Sequence, residues 1–301
     1  MRKSFHRIWQ NAVAEWADAV RSRRALVLLL LYLASAVCCM YGTISILGRM
    51  ENELAQVLQL PESEKTGVVS ATLWKSKPFR RMVRAGTQND LVFHDISGRH
   101  PAELVYAWFA FFFAPLLVVL VAGNRVADDL RSGAVRYAIT RCTRAEWSLG
   151  KYFGQATMIA FALSVSAFGA WIVAVFRLSG VGAGELLPSM FGWGLRAWIY
   201  SLAWLGVALG LSHVCRSGSR ATSLGILAVA LLTAYPVLLE KAVGWTGLPW
   251  LENFDLFAPA SAKDYLWRRG FAPLAAALFH LGALGLAYLA LGYAVFRRRD
   301  A

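Results

Sequence analysis

The chain has 301 residues, of which 57% are hydrophobic and 16% charged, against roughly 25% charged in an ordinary soluble domain, so its composition is that of a membrane protein. The formal net charge of +13 does not point to nucleic acid, because Lys and Arg fall between apolar runs instead of gathering on one soluble basic face. The four cysteines, Cys38, Cys39, Cys142 and Cys215, show neither a disulfide framework nor the C-x-x-C spacing of a structural zinc site, and read as reduced structural residues.

The first element in chain order is amphipathic. Phe5, Ile8, Trp9, Ala12, Val13, Trp16 and Val20 recur at helical spacing opposite Arg7, Asn11 and Asp18, which predicts a helix over residues 1–24 lying in the membrane interface, held by apolar burial and anionic lipid. The first apolar run begins only at Ala25, is long enough to span, and lacks a convincing small-residue cleavage site, so it is expected to stay as a helix.

A span needs about 20 apolar residues to cross a hydrocarbon core of roughly 30 Å. Ala25–Leu47, Leu104–Gly123, Tyr152–Phe176, Met190–Leu211, Ala221–Leu239 and Phe271–Phe296 each qualify, and backbone groups in lipid must pair within their own segment, so these runs are helices. The predicted fold is all-α integral membrane: an interfacial N-terminal helix followed by a six-span domain over 25–301. Arg196 alone is charged within a span, near one end, where its side chain is expected to snorkel.

Residues 1–24, 124–151, 212–220 and the C-terminus together carry 17 Lys and Arg, which places these segments and both termini in the cytoplasm. Two segments on the other side are longer than connectors. Residues 48–103 are expected to pack on the outer ends of the spans. Residues 241–270, with Trp245, Pro249, Trp250, Phe254, Phe257 and Pro259, are aromatic and broken by Gly and Pro, as expected of a re-entrant outer segment.

Enzyme signatures are missing. The chain contains no G-x-x-x-x-G-K-[ST] phosphate loop, and Gly150-Lys151 is followed by Tyr152 with Ala145 at the upstream glycine position. Gly210-Leu211-Ser212-His213 breaks the G-x-S-x-G pattern, and H-E-x-x-H does not occur. His94, Asp95 and His100 are metal-ligand types within seven residues but read as solvated loop residues. His280, alone among histidines inside a span, reads as a hydrogen-bonded packing residue, which disfavours coupling to an ion gradient. Phe111, Phe112, Phe113, Trp171, Trp198 and Trp204 are expected to face lipid.

The segment 124–151 carries the most information. It reads Asp128-Asp129-Leu130-Arg131-Ser132-Gly133-Ala134-Val135-Arg136-Tyr137, then Arg141-Cys142-Thr143-Arg144, then Gly150-Lys151 opening the third span. Asp128, Asp129, Arg131, Arg136, Arg141 and Arg144 supply the mixed charge of a polar docking rim, with Val135, Tyr137 and Ile139 as apolar contacts.

In order and spacing, Asp129, Gly133, Arg144, Gly150 and Lys151 resemble the cytoplasmic loop of the type-2 ABC exporter permeases, with Ala134 where Thr is usual and Arg141 where Pro is usual. Glu15-Trp16 with Arg21-Ser22-Arg23, Leu256-Phe257-Ala258-Pro259, and Phe296-Arg297-Arg298-Arg299-Asp300 extend the resemblance over most of the chain. Within that family the long first outer loop and the Ser-Gly-x-x-Arg-Tyr run look most similar to sodium-export and copper-enzyme-maturation permeases.

The resemblance implies a permease of the bacterial inner membrane, itself without enzymatic activity, that pairs with a second identical or related permease and with two separate ABC ATPase subunits. ATP and magnesium would then sit on the ATPase and no cofactor on this chain. Asp128, Asp129, Arg131, Gly133, Arg136, Tyr137, Arg141, Arg144 and Lys151 would form the coupling loop that docks the ATPase, while Phe5, Ile8, Trp9 and Trp16 anchor the interfacial helix. A different expectation keeps the ATPase-driven motion but has the chain act as a scaffold on a periplasmic or extracellular partner.

Overall fold

A computed structural model describes residues 2–58, 74, 77, 80–81, 83–84, 89–178 and 183–298. Most of the predicted outer loop over 48–103, and Arg299 and Asp300, lie outside the described residues. Among the described residues every regular element is helical, and six helices are long and apolar enough to cross a membrane.

Helix α1 (Arg2–Arg21) is separated from α2 (Arg23–Leu58) by Ser22 alone, whose hydroxyl accepts from the Ala25 amide at 3.4 Å. Helix α2 contains the first span and runs on into the segment predicted as loop. A short α3 (Asp90–Ile96) precedes α4 (Pro101–Ala122), whose start is set by Pro101 and by His100 Nδ1, which accepts from the Ala102 amide at 3.2 Å. Two short helices, α5 (Arg125–Ser132) and α6 (Ala134–Ile139), lead to α7 (Arg144–Arg177). Thr143 and Glu146 close a reciprocal capping box at its first turn. Then follow α8 (Ala183–Val214), α9 (Gly218–Thr246), tight 3-10 turns over Pro249–Phe257 and Pro259–Ala262, α10 (Lys263–Trp267) and α11 (Phe271–Arg297).

Span four, in α8, is the hub: 83% of its apolar stretch is buried, against α4, α7 and α11, whereas the fifth span, in α9, is 6% buried. Lipid gives two apolar helices little reason to associate, so close approach through small residues matters. A Cβ on Gly206 would overlap the Gly285 carbonyl, and one on Gly292 would overlap the Gly210 carbonyl, so α8 and α11 cross backbone to backbone. Hydrogen bonds fasten the other faces of the hub: the Tyr152 hydroxyl donates to the Leu202 carbonyl at 3.0 Å, and the Trp198 indole to the Ala156 carbonyl at 2.8 Å.

Phe111 and Trp204 are buried in this core, with Phe111 5.6 Å from the Tyr200 ring, which corrects the expectation that they face lipid. They occupy the faces that α4 and α8 turn toward each other. Phe112, one residue on, does face outward at 76% exposure. His280 is half-buried with Nε2 lacking any hydrogen-bond partner, contrary to the expected satisfied histidine.

At the end remote from α5 and α6, the described part of 48–103 packs on the broken segment. The Asn89 amide donates to the Asp264 carboxylate at 2.9 Å and the Arg269 amide to Asp95 at 3.0 Å, while within 48–103 the Trp74 indole donates to the Arg99 carbonyl at 2.9 Å. Asp95 and His100 therefore have structural roles, each accepting a hydrogen bond from a backbone amide.

Candidate functional site

The short helices α5 and α6 form a compact elbow between spans two and three. Gly133 joins them with φ of +75°, a left-handed conformation that L side chains adopt at a cost of roughly 1–2 kcal/mol. Space around it is open, so backbone geometry and not crowding selects glycine here.

The elbow presents Arg131, Arg136, Tyr137 and Arg141 to the exterior, with Tyr137 81% exposed. Val135 turns the other way and is buried, and Ile139 packs partly on the core, so neither belongs to the exposed rim predicted from sequence. Asp128 also faces its own chain: the Asn124 amide donates to it at 2.6 Å, Arg131 lies 3.9 Å away, and a Cβ on Gly218 would collide with it. The elbow thereby abuts the start of α9. The Ala127 amide donates to the Ser212 hydroxyl at 3.0 Å, which ties it to the end of α8 as well.

Behind the exposed rim is a buried charge cluster. Lys151, with its side chain 5% exposed, is ion-paired through Nζ to the Glu15 carboxylate on α1 and to Asp129 on α5 at 2.7 Å. The Gln155 amide donates to the second Glu15 oxygen at 2.8 Å, and the Lys151 ammonium lies 5.1 Å from the Trp147 ring centroid. One ammonium thus joins three elements: the N-terminal helix, the elbow and span three. Burial pulls the Glu15 carboxyl upward, but the Lys151 charge and hydrogen bond, with the Gln155 hydrogen bond, outweigh it and hold Glu15 below its ordinary value.

Helix α1 reaches this depth because α7 is notched. A Cβ on Gly150 would clash with Asn11 and lie 3.0 Å from the Ile8 carbonyl; one on Gly154 would lie 2.9 Å from Glu15 Cβ and 3.0 Å from the Ala12 carbonyl. Ala12, Glu15 and Ala19 make the buried stripe of α1, and the Trp16 indole donates to the Thr157 hydroxyl at 2.8 Å. Phe5, Trp9, Val13 and Val20 remain exposed, and Ile8 is half-buried. The helix therefore has two working faces, an apolar one turned outward and a small-residue face with one acid seated on α7.

The C-terminal end joins the same body. The Arg144 guanidinium donates to the Arg297 carbonyl at 3.2 Å and lies 5.4 Å from the Phe296 ring, which packs 5.8 Å from Trp147. Of the residues predicted as one docking set, Arg131, Arg136, Tyr137 and Arg141 share the outer surface. Asp128, Asp129, Arg144 and Lys151 face inward as its mounting, and Gly133 is the bend between the two short helices. Glu15, Gln155, Gly150 and Gly154 complete that mounting. The i, i+4 glycine pair beside an acid on the facing helix was the sequence signal for it.

Among the described residues no group of three or more His, Cys, Asp or Glu side chains is gathered as a metal site. The arrangement is mechanical: a rigid elbow with an exposed cationic and aromatic rim, bolted to spans three, four and five and, through the Lys151 cluster, to α1. A family model described as ABC-2 family transporter protein matches residues 9–301, and no curated protein matches the chain.

Proposed function

The chain belongs to the ABC-2 transporter family and is a multi-pass membrane permease subunit of an ABC transporter, and from that premise we propose that it receives force from two separate ATPase chains and exports a substrate. In this reading ATP and magnesium are held by the ATPases. The permease pairs with a second permease, identical or related, in the bacterial inner membrane, with both termini in the cytoplasm.

The observation that carries the reading is the split of the elbow into an exposed rim and a buried mounting. Arg131, Arg136, Tyr137 and Arg141 offer a soluble partner a charged and aromatic surface of the kind found in polar interfaces. A push on that surface meets the Lys151 cluster and is passed to α1 and span three as one body, because a packed and ion-paired joint shifts between discrete states more readily than it bends. The exposed apolar stripe Phe5, Trp9, Val13 and Val20 keeps α1 on the lipid surface as that body moves.

The test is ATP hydrolysis by the reconstituted permease and ATPase, comparing wild type with Tyr137→Ala and with Arg136→Glu/Arg141→Glu. Coupled hydrolysis and co-purification of the ATPase are expected to fall at least about tenfold, because interface anchors of this kind commonly contribute 1.4 kcal/mol or more. Full coupling in both variants would sink the docking assignment. Coupled hydrolysis without export, together with a bound protein on the opposite face, would instead identify a mechanotransmitting subunit.

A further inference from the structure

A second polar cluster lies at the other end of the bundle and takes no part in docking. Arg99, in the turn before α4, and Arg196, on α8, each place the guanidinium carbon 5.1 Å from the centroid of the Trp193 ring. Trp193 is 1% exposed, and its indole N–H has no acceptor. The Nε atoms of Arg99 and Arg196 are likewise buried without a partner.

Acceptors are scarce around these donors. Glu103 lies 3.6 Å from Arg99 and takes a hydrogen bond from Ser189, whose hydroxyl is 3.5 Å from the Arg99 guanidinium. Arg196 donates to the Gly192 carbonyl, one turn back on its own helix, at 3.2 Å, so it is held beside Trp193 and not extended outward as a snorkelling side chain would be. Burial and the neighbouring Arg269 cation push the Arg99 guanidinium below its ordinary value, with Glu103 and Asp95 opposing. Buried donors normally have partners, so three orphaned donors, two of them on cations, describe a site short of one anion.

The depth of the site narrows the ligand. Arg196 stands 18 residues before Val214, the last residue of α8, which is about 27 Å at 1.5 Å per residue and close to a full hydrocarbon thickness. The cluster therefore lies toward the leaflet remote from the elbow, near the far edge of the hydrocarbon. The two guanidinium carbons are at most about 10 Å apart, twice their distance from the shared ring, and a phosphate taking hydrogen bonds of about 2.8 Å from both forks closes most of that gap.

We propose that Arg99 and Arg196, both beside the Trp193 ring, hold a phosphate group at the membrane interface opposite the coupling elbow. The phosphate belongs either to a phospholipid headgroup or to a soluble phosphate, and the site serves as an anchor or an exit station for it. This inference stands apart from ATPase docking, since its readout is binding by the permease alone.

The test uses the purified full chain in detergent and follows its unfolding midpoint by scanning fluorimetry. The additions are phosphatidylglycerol, a galactolipid without phosphate, inorganic phosphate, and chloride at matched ionic strength. The wild type is expected to be stabilised by a phosphate-bearing addition and not by the galactolipid or chloride. Arg196→Gln and Arg99→Gln should each raise the half-saturating concentration roughly tenfold or more, and Arg196→Lys, which keeps the charge but loses the fork, by less. Glu103→Gln should lower it. Response to the lipid alone identifies a headgroup, and response to inorganic phosphate identifies a soluble ligand. If wild type and both Arg→Gln variants titrate alike, or no phosphate-bearing addition stabilises the wild type, the proposal is overturned.

Discussion

Replacing Lys151 with Met tests the buried joint directly. The ammonium is 5% exposed and paired with two carboxylates, Glu15 at 7% and Asp129 at 33% side-chain exposure, so the substitution leaves both acids facing each other without the ammonium they share. Breaking a buried pair by removing one partner costs about 3–5 kcal/mol, and the partial exposure of Asp129 argues for the low end, about 3 kcal/mol. Since 1.4 kcal/mol is tenfold, the undocked fraction of α1 should rise roughly a hundredfold. Cys142 reports on this, because it is 8% exposed and its sulfur lies 3.5 Å from the Asn11 amide of α1. In a protein with the other three cysteines replaced by Ala, the rate of Cys142 labelling by a water-soluble maleimide should rise by that factor in Lys151→Met. Glu15→Gln, which keeps the shape and one hydrogen bond, should raise it less. Equal labelling rates in wild type and Lys151→Met would show that the ion cluster does not hold α1, and the mechanical reading of the elbow would fall with it.

Glu15 sits below its ordinary value of 4.5 in the folded chain, so its contribution to stability is complete above pH 4.5 and is lost as the pH falls through the depressed value. The unfolding midpoint of wild type minus that of Glu15→Gln should accordingly be flat from pH 8 to about 5 and shrink only in more acidic buffer. Gly206→Leu forces a side chain into the Gly285 backbone, which cannot yield, and should destabilise the bundle by roughly 3 kcal/mol or more, read as loss of monodisperse protein on heating. Gly244→Leu, with nothing within 4 Å, is the matched neutral control. Gly133→Ala should lower stability by about 1 kcal/mol through its φ of +75°, and Gly133→Asn by less, because Asn tolerates that region better.

The spans were legible because lipid imposes one rule, that each backbone group pairs within its own helix, and the apolar runs state it plainly. Their ends were less so. The third span was expected from Tyr152, but α7 begins at Arg144 behind the Thr143 capping box, and Lys151, just ahead of the expected start, is covered by α1 and need not lie in water. A polarity boundary in sequence marks where lipid ends only when no other helix shields the polar residue. Likewise α1 read as an interfacial helix from Phe5, Trp9 and Val13, while its second face, Ala12, Glu15 and Ala19, is too small to register as an apolar stripe. Small residues matter there because they remove bulk, and a hydrophobic count cannot see bulk that is missing.

The Lys151 cluster is better understood as a device for specificity than for stability. An ammonium shared by two carboxylates in a nearly dry site recovers little more than its desolvation cost, and apolar side chains of the same volume would hold α1 on α7 at least as firmly. What apolar side chains would not supply is register. The grooves cut by Gly150 and Gly154 would let α1 slide along α7 in steps of a helical turn, whereas Glu15 finds an ammonium at one position only, with Gln155 to satisfy its second oxygen. Asp129 then binds the elbow to that same position. A joint fixed in register but not strongly favoured over its open form is suited to a part that must move as a unit and return, and it places the elbow's exposed rim at a defined height above the spans it drives.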